Sequence, residues 1–192
     1  KRRGTSIHFR PDEQIFDSIE FSFDIICQRM RELAFLNTGL KIIVSDDRAE
    51  REKEFYYKGG IVSFVEYLNR NQDLVHPKPI YIQGERNAVS IEVAFQYSHS
   101  YIQKIFSFAN NINTKEGGSH LSGFKAALTR SINAYSQGSQ HNKVVRLTGD
   151  DVREGLTAVI SVKLREAQFE GQTKSRLGNS EVKGLVENLV NE

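Results

Sequence analysis

Gln172 and Lys174 carry the chemistry most visible in this sequence. They lie in "EGQTKSRLGNSEVKG", residues 170–184, with Thr173 between them and Gly171 and Gly178 on either side. An amide donor beside an ammonium suits the grip of an anion, such as a terminal phosphate held by a neighbouring domain. The glycines permit a sharp excursion of the backbone, as a reaching loop requires. A lysine on such a loop is also compatible with an ordinary solvated charge, and the residue types alone leave both readings open.

Two further stretches have candidate chemistry. In "NTKEGGSHLSGF", residues 113–124, Gly117 and Gly118 suit positive φ, and Ser119 is placed to cap the helix that follows. A helix start can bind phosphate, but a plain strand-to-helix turn explains the same residues, with His120 as a satisfied structural side chain. In "TGDDVREGL", Asp150 and Asp151 form a carboxylate pair that could serve a metal or acid–base work. They equally suit the first turn of a short helix capped by Thr148 and stopped by Gly155, and that structural reading is preferred.

Several site types are missing from the pattern. There is no phosphate-binding G-x-x-x-x-G-K-[ST] loop, no G-x-G-x-x-G fingerprint and no nucleophile elbow. The five histidines, at 8, 76, 99, 120 and 141, lack metal-ligand spacing, so no metal site is expected. Cys27, the single cysteine, cannot form an internal disulfide and falls in an apolar helical pattern, as a buried thiol would. The 192 residues suffice for one well-filled core, and the 39% apolar and 26% charged content is that of a folded soluble chain. A net charge of +2 is too small to announce nucleic-acid binding by itself. No apolar run reaches membrane-span length, so a cytoplasmic protein without a membrane partner is expected. The lack of an initiator methionine and the final "VENLVNE", inside a helical period, suggest a piece of a longer protein.

The elements that must position these residues follow from periodicity. "GTSIHF" reads as a strand ended by Pro11. Phe23, Ile26, Cys27, Met30, Leu33 and Ala34 mark a helix over 22–37, stopped by Asn37 and Gly39. "LKIIVSD" and "EKEFYY" read as a hairpin, and Ile61, Phe64, Val65 and Leu68 as a shorter helix. "IYIQGE" pairs through a turn at "ERN" with "AVSIEVAFQY", where Val89, Ile91, Val93, Phe95 and Tyr97 face the core. Ser90, Glu92 and Gln96 should then face a more polar side. "IQKIFSFA" is a strand, and Leu121, Phe124, Leu128, Ile132 and Tyr135 form a long helical stripe. "SQGSQHNK" is a loop, "LTAVISVKL" a central strand. Val182, Leu185, Val186, Leu189 and Val190 make an amphipathic helix capped by Asn179 or Ser180. About six strands and four helices result, predicting an α+β fold with a mixed β-sheet and helices packed on one face.

The stretches "GTSIHFRPDEQIF", "YKGGIVSFVEYLN", "NNINTKEGGSHLSGFKAALTRSINAY", "GDDVREGLTAVISVKL" and "QTKSRLGNSEVK" together resemble the B subunits of bacterial DNA gyrase and its topoisomerase IV counterpart. They occur in that family's order and span nearly the whole chain, with "YKGGIVSFVEYLN" and "EGGSH" leaning toward gyrase. The resemblance implies a transducer domain over residues 17–178, similar to the second domain of ribosomal protein S5, with the Q-T-K loop at 170–178. Residues 1–16 would be the last strand and exit segment of a preceding GHKL ATPase domain, left without its partners. Residues 179–192 would begin the long helix leading toward the DNA gate.

It also implies that Gln172 and Lys174 contact the γ-phosphate of an ATP held, with Mg2+, by the absent GHKL domain, and that Lys174 is catalytic. No cofactor would be bound by this piece alone, which would be inactive. The implied partners are the gyrase A subunit, DNA and a second copy of the B subunit joined through the ATPase domain. Lys125 and Arg130 would face a cavity through which DNA passes. The alternatives are a topoisomerase IV transducer, an S5-like nucleic-acid-binding module, the matching domain of a mismatch-repair ATPase, and a structural domain with a surface loop.

Overall fold

Ser22 starts the first helix by accepting the Ile25 amide, and α1 runs from Phe23 to Leu36. Phe23, Cys27 and Ala34 turn inward as their spacing predicts, and the thiol is buried. Asn37 ends the helix by donating its side-chain amide to the Leu33 carbonyl (2.8 Å), and Gly39 follows at φ +83°. The structure, a computed structural model, describes residues 4–5, 11–138 and 146–192. Residues 6–9 of the expected "GTSIHF" strand and 139–143 of the expected "SQGSQHNK" loop lie outside the described residues.

Strands β1 (Ile42–Asp46) and β2 (Arg51–Phe55) form an antiparallel hairpin, and α2 (Gly60–Asn69) follows. β3 (Ile80–Arg86) and β4 (Val89–Tyr97) are joined by Asn87 and Ala88, both at positive φ. That two-residue turn matches the right-handed twist of the strands it connects. Asn110 and Asn111 do the same between β5 (Lys104–Ala109) and β6 (Ile112–Asn113). The β5 strand begins two residues later than "IQKIFSFA" suggests, because Ile102 is exposed in the preceding loop. The remaining elements are β7 (Gly117–Gly118), α3 (Ser119–Gly138), α4 (Gly149–Arg153), β8 (Leu156–Lys163), β9 (Phe169–Glu170), β10 (Arg176–Leu177) and α5 (Ser180–Asn191).

Five strands form the main sheet in the order β3-β4-β8-β5-β6. β8 runs antiparallel to β4 and parallel to β5, so the sheet is mixed and the fold is α+β, as expected. One sheet face places Ile91, Val93, Phe95, Ala158, Ile160 and Val162 against Phe124 and Leu128 of α3 and Val182, Val186 and Leu189 of α5. Fully burying an aliphatic or phenyl side chain contributes about 1.5–3 kcal/mol, and this layer is built almost wholly of such groups. α3 and α5 approach closely because residue 123 is glycine. A Cβ there would sit 2.5 Å from the Lys183 carbonyl oxygen.

The opposite face carries a second helical layer, so the sheet is more fully covered than the expected single face. Phe35 and Leu36 of α1 and Ile61, Phe64 and Val65 of α2 close over Ala94, Phe108 and Val159. Phe35 stacks on Phe64 with ring centroids 4.8 Å apart. Gln96, expected on a polar side, is 1% exposed. Its amide is satisfied there: Asn69 donates to it (3.0 Å), it donates to the His76 carbonyl (2.9 Å), and Thr157 donates to Asn69 (2.7 Å). A buried amide whose oxygen and nitrogen each have a partner can lie under a helix at little cost.

Candidate functional site

The Q-T-K segment is the turn of a hairpin. β9 and β10 pair antiparallel, Glu170 opposite Arg176 and Phe169 opposite Leu177, leaving residues 171–175 as the connecting loop. Gly171 at φ +71° begins the reversal, and the Lys174 amide closes it on the Gly171 carbonyl (3.3 Å). Lys174 itself adopts φ +54°. A side chain in that left-handed region costs about 1 kcal/mol or more, so surrounding contacts must hold it there.

Those contacts lie at the hairpin's base. The Gly178 amide donates to the Gln168 carbonyl (2.7 Å), extending the antiparallel ladder. Asn179 stands at the N-cap position of α5, as expected, but its side chain makes no capping bond. It is buried, accepts from the Gln168 amide (2.7 Å) and donates to the Glu166 carbonyl (3.2 Å), tying the approach to β9 onto α5. On the other edge β10 runs parallel to β7, Arg176 beside Gly117 and Leu177 beside Gly118. The Glu116 amide donates to the Ser175 carbonyl (3.0 Å), next to Lys174. Gly117 and Gly118 have φ of +78° and +133°, as the "EGGSH" spacing predicts. Gly118 is also obligatory for space, since a Cβ there would meet the Leu177 amide nitrogen at 2.6 Å.

Gln172, Thr173 and Lys174 are all exposed at the tip. The Lys174 ammonium lies 5.9 Å from the Phe169 ring centroid and pairs with no carboxylate among the described residues. Glu170, on the same hairpin, is held by Arg176 (3.3 Å). The tip thus presents an amide and an uncompensated cation on a fixed base, a combination suited to an incoming anion.

Lys125 and Arg130 line a separate groove of about 780 Å³ along α3, with Arg146, Arg153, Thr129 and Asn133. Sequence reasoning missed the two added arginines because only the fold carries the α4 region against α3. Arg130 is bound to Glu187 of α5 (3.2 Å), and Arg153 to Asp150 (2.7 Å) and Gln103 (2.9 Å). Lys125 has no ion pair among the described residues. Partial burial, reinforced by the nearby Arg153 charge, holds its ammonium below the usual lysine range, with Asp150 opposing.

The "TGDD" carboxylates serve the structure. Thr148 and Asp151 form a reciprocal cap on α4, and Asp150 holds Arg153. Ser119 does not cap α3; its hydroxyl is buried without a partner among the described residues. His120 is fully buried and meets the Thr114 hydroxyl through Nε2 (3.1 Å), but its Nδ1 has no partner there. The expected satisfied histidine is therefore only half satisfied.

Residues 60–192 match the family model described as DNA gyrase B. The chain is 55% identical over its whole length to the DNA gyrase B protein of Myxococcus xanthus, spanning 24% of that protein. It is 53% identical over 98% of its length to that of Clostridium acetobutylicum, spanning 30% of it. It therefore spans roughly a quarter to a third of these relatives. Among solved structures, the 43K ATPase domain of Thermus thermophilus gyrase B, in complex with an aminocoumarin, superposes with a TM-score of 0.81 at 40% identity. That match covers 94% of this chain and 49% of the other. A family model fitting two thirds of the chain and relatives more than half identical along it establish that the chain belongs to the DNA gyrase B family.

Proposed function

We propose that this chain is the transducer of an ATP-dependent type II DNA topoisomerase of the gyrase kind, with Gln172 and Lys174 contacting the γ-phosphate of ATP. In this reading residues 1–16 leave a preceding GHKL ATPase domain, 17–178 form the transducer, and 179–192 begin the helix toward the DNA gate. ATP, its Mg2+ and the groups that read the base are held by the ATPase domain, so the piece alone does not turn over nucleotide. Its partners are a second copy of the gyrase B protein, the gyrase A protein and DNA, in the cytoplasm.

The observation that carries the reading is the uncompensated ammonium of Lys174 on a hairpin fixed at its base. A cation aimed at a terminal phosphate offsets charge there, and more so as charge develops on transfer. Once phosphate leaves, the tip loses its counter-charge. That differential contact biases the angle between the two domains, which is how hydrolysis would drive motion. The test is Lys174→Ala in the intact gyrase B protein. Turnover should fall on the order of a hundred- to a thousand-fold, while nucleotide binding stays measurable. Unchanged kcat would leave the hairpin a surface feature and sink the assignment.

A second role is supported by the α3 groove. Its four cations, Lys125, Arg130, Arg146 and Arg153, suit the backbone of a passing DNA segment, read by charge and not by base.

A further inference from the structure

His120 lies outside the hairpin, yet bonded contacts link it to Lys174. We propose that His120, with Thr114 and Ser107, is a positioning clamp that fixes where Lys174 stands relative to the central sheet. The proposal rests on the catalytic reading of Lys174.

The hydrogen bonds run in a closed sequence. The Thr114 hydroxyl donates to the Ser107 carbonyl (2.9 Å), so its oxygen is left to accept the His120 Nε2–H (3.1 Å). The Ser107 hydroxyl lies 2.7 Å from that oxygen and 3.1 Å from the Thr114 carbonyl. The Thr114 carbonyl also accepts the Gly117 amide (2.8 Å), while the Thr114 amide donates to the Ser107 carbonyl (2.9 Å). Strand β5 and the first turn of α3 thus grip residues 114–117 from two sides. Those residues hold the hairpin through Glu116 to Ser175 and through the glycine seam to Arg176 and Leu177.

This chemistry accounts for a histidine at a fully buried position. The site is fully buried, and one ring nitrogen lacks a partner among the described residues, a cost an apolar side chain avoids. The gain is a directed Nε2–H bond onto Thr114, which shape-filling cannot supply. Because Lys174 sits at a strained φ beside the Ser175 anchor, a shift of that anchor moves the backbone from which the ammonium extends.

The test uses the intact gyrase B protein with His120→Leu, which removes the donor, and His120→Gln, which restores one near the Nε2 position. His120→Leu should lower kcat for ATP hydrolysis about tenfold to a hundredfold through misplacement, with KM little changed. His120→Gln should recover most of that loss. In a Lys174→Ala background His120→Leu should add little, because both act through one contact. Amide exchange at Glu116 and Leu177 should quicken in His120→Leu. Normal kcat with normal exchange, or a loss that His120→Gln fails to recover, would overturn the clamp. If His120→Leu does not fold, Thr114→Val removes the same junction in a residue of similar shape and takes the same two readouts. Should Lys174→Ala keep full turnover, the catalytic reading fails by itself, while the exchange data still report whether the clamp holds the seam.

Discussion

The lysine hairpin and the α3 groove are both cationic, but two of the groove's four cations are paired within the chain, whereas the single cation of the tip is not. In the groove, Arg130 and Arg153 are bound to Glu187 and Asp150 of the same chain. At the hairpin tip, Lys174 faces solvent with an aromatic ring as its nearest charge-responsive contact, and the one carboxylate of the hairpin belongs to Arg176. An arginine already paired gives only the surplus of its charge to a visiting phosphate, and exposed pairs are themselves worth about 0–1 kcal/mol. An unpaired ammonium gives all of it. The groove therefore suits a polyanion gripped weakly at many points, and the tip a single compact phosphate gripped once.

The largest effect should come from the tip. Lys174→Ala should remove most ATP turnover and leave the salt dependence of DNA binding unaltered, which titration at several salt concentrations would read. Equal losses in both would erase the distinction between the two sites. Next in size is the contact between α3 and α5. Gly123→Ala pushes a Cβ against the Lys183 carbonyl and should destabilise the fold by about 1–3 kcal/mol, visible as a lower melting temperature. A smaller effect is expected at Lys125. Lys125→Gln should weaken DNA binding at low salt and reduce the slope of log K against log salt by about one, with basal ATP turnover intact. An unchanged slope would take Lys125 out of the DNA contact.

The smallest effect lies in a third cationic cluster, at the β1–β2 turn. Arg48 binds Asp46 through 2.9 and 3.1 Å contacts, and Arg51 adds a longer one (3.4 Å). The Arg48 hydrogen bonds hold the Asp46 carboxyl at about 2, below its usual 3.8. A carboxyl depressed on folding stabilises above its ordinary value, and that contribution is lost as pH falls from about 4 through about 2. Amide protection factors in residues 42–55, corrected for the intrinsic exchange rate, should fall across that window, while those of the main sheet hold. Protection factors that are flat with pH there would mean the turn does not depend on the pair.

The helices and long strands were legible because their signal is local. Phe23, Cys27 and Ala34 share a face at helical spacing, and Thr148 with Asp151 forms a reciprocal cap within four residues. The Q-T-K loop was legible by its resemblance, and its exposure agrees with its polar content. The second helical layer was not legible from β4, whose alternation makes Gln96 look solvent-facing. The groups that satisfy Gln96 come from Asn69 and His76, and Thr157 completes the set from β8.

The sequence by itself determined where the main helices and long strands lie, and that glycines must stand at 117 and 118. Tertiary structure alone decided which cations remain unpaired and what anchors the hairpin that carries Lys174. Periodicity and capping act between residues a few positions apart, whereas Arg130 meets Glu187, and Glu116 meets Ser175, only after the chain has brought distant segments together. A charge's availability depends on its neighbours in space, and no local pattern records them.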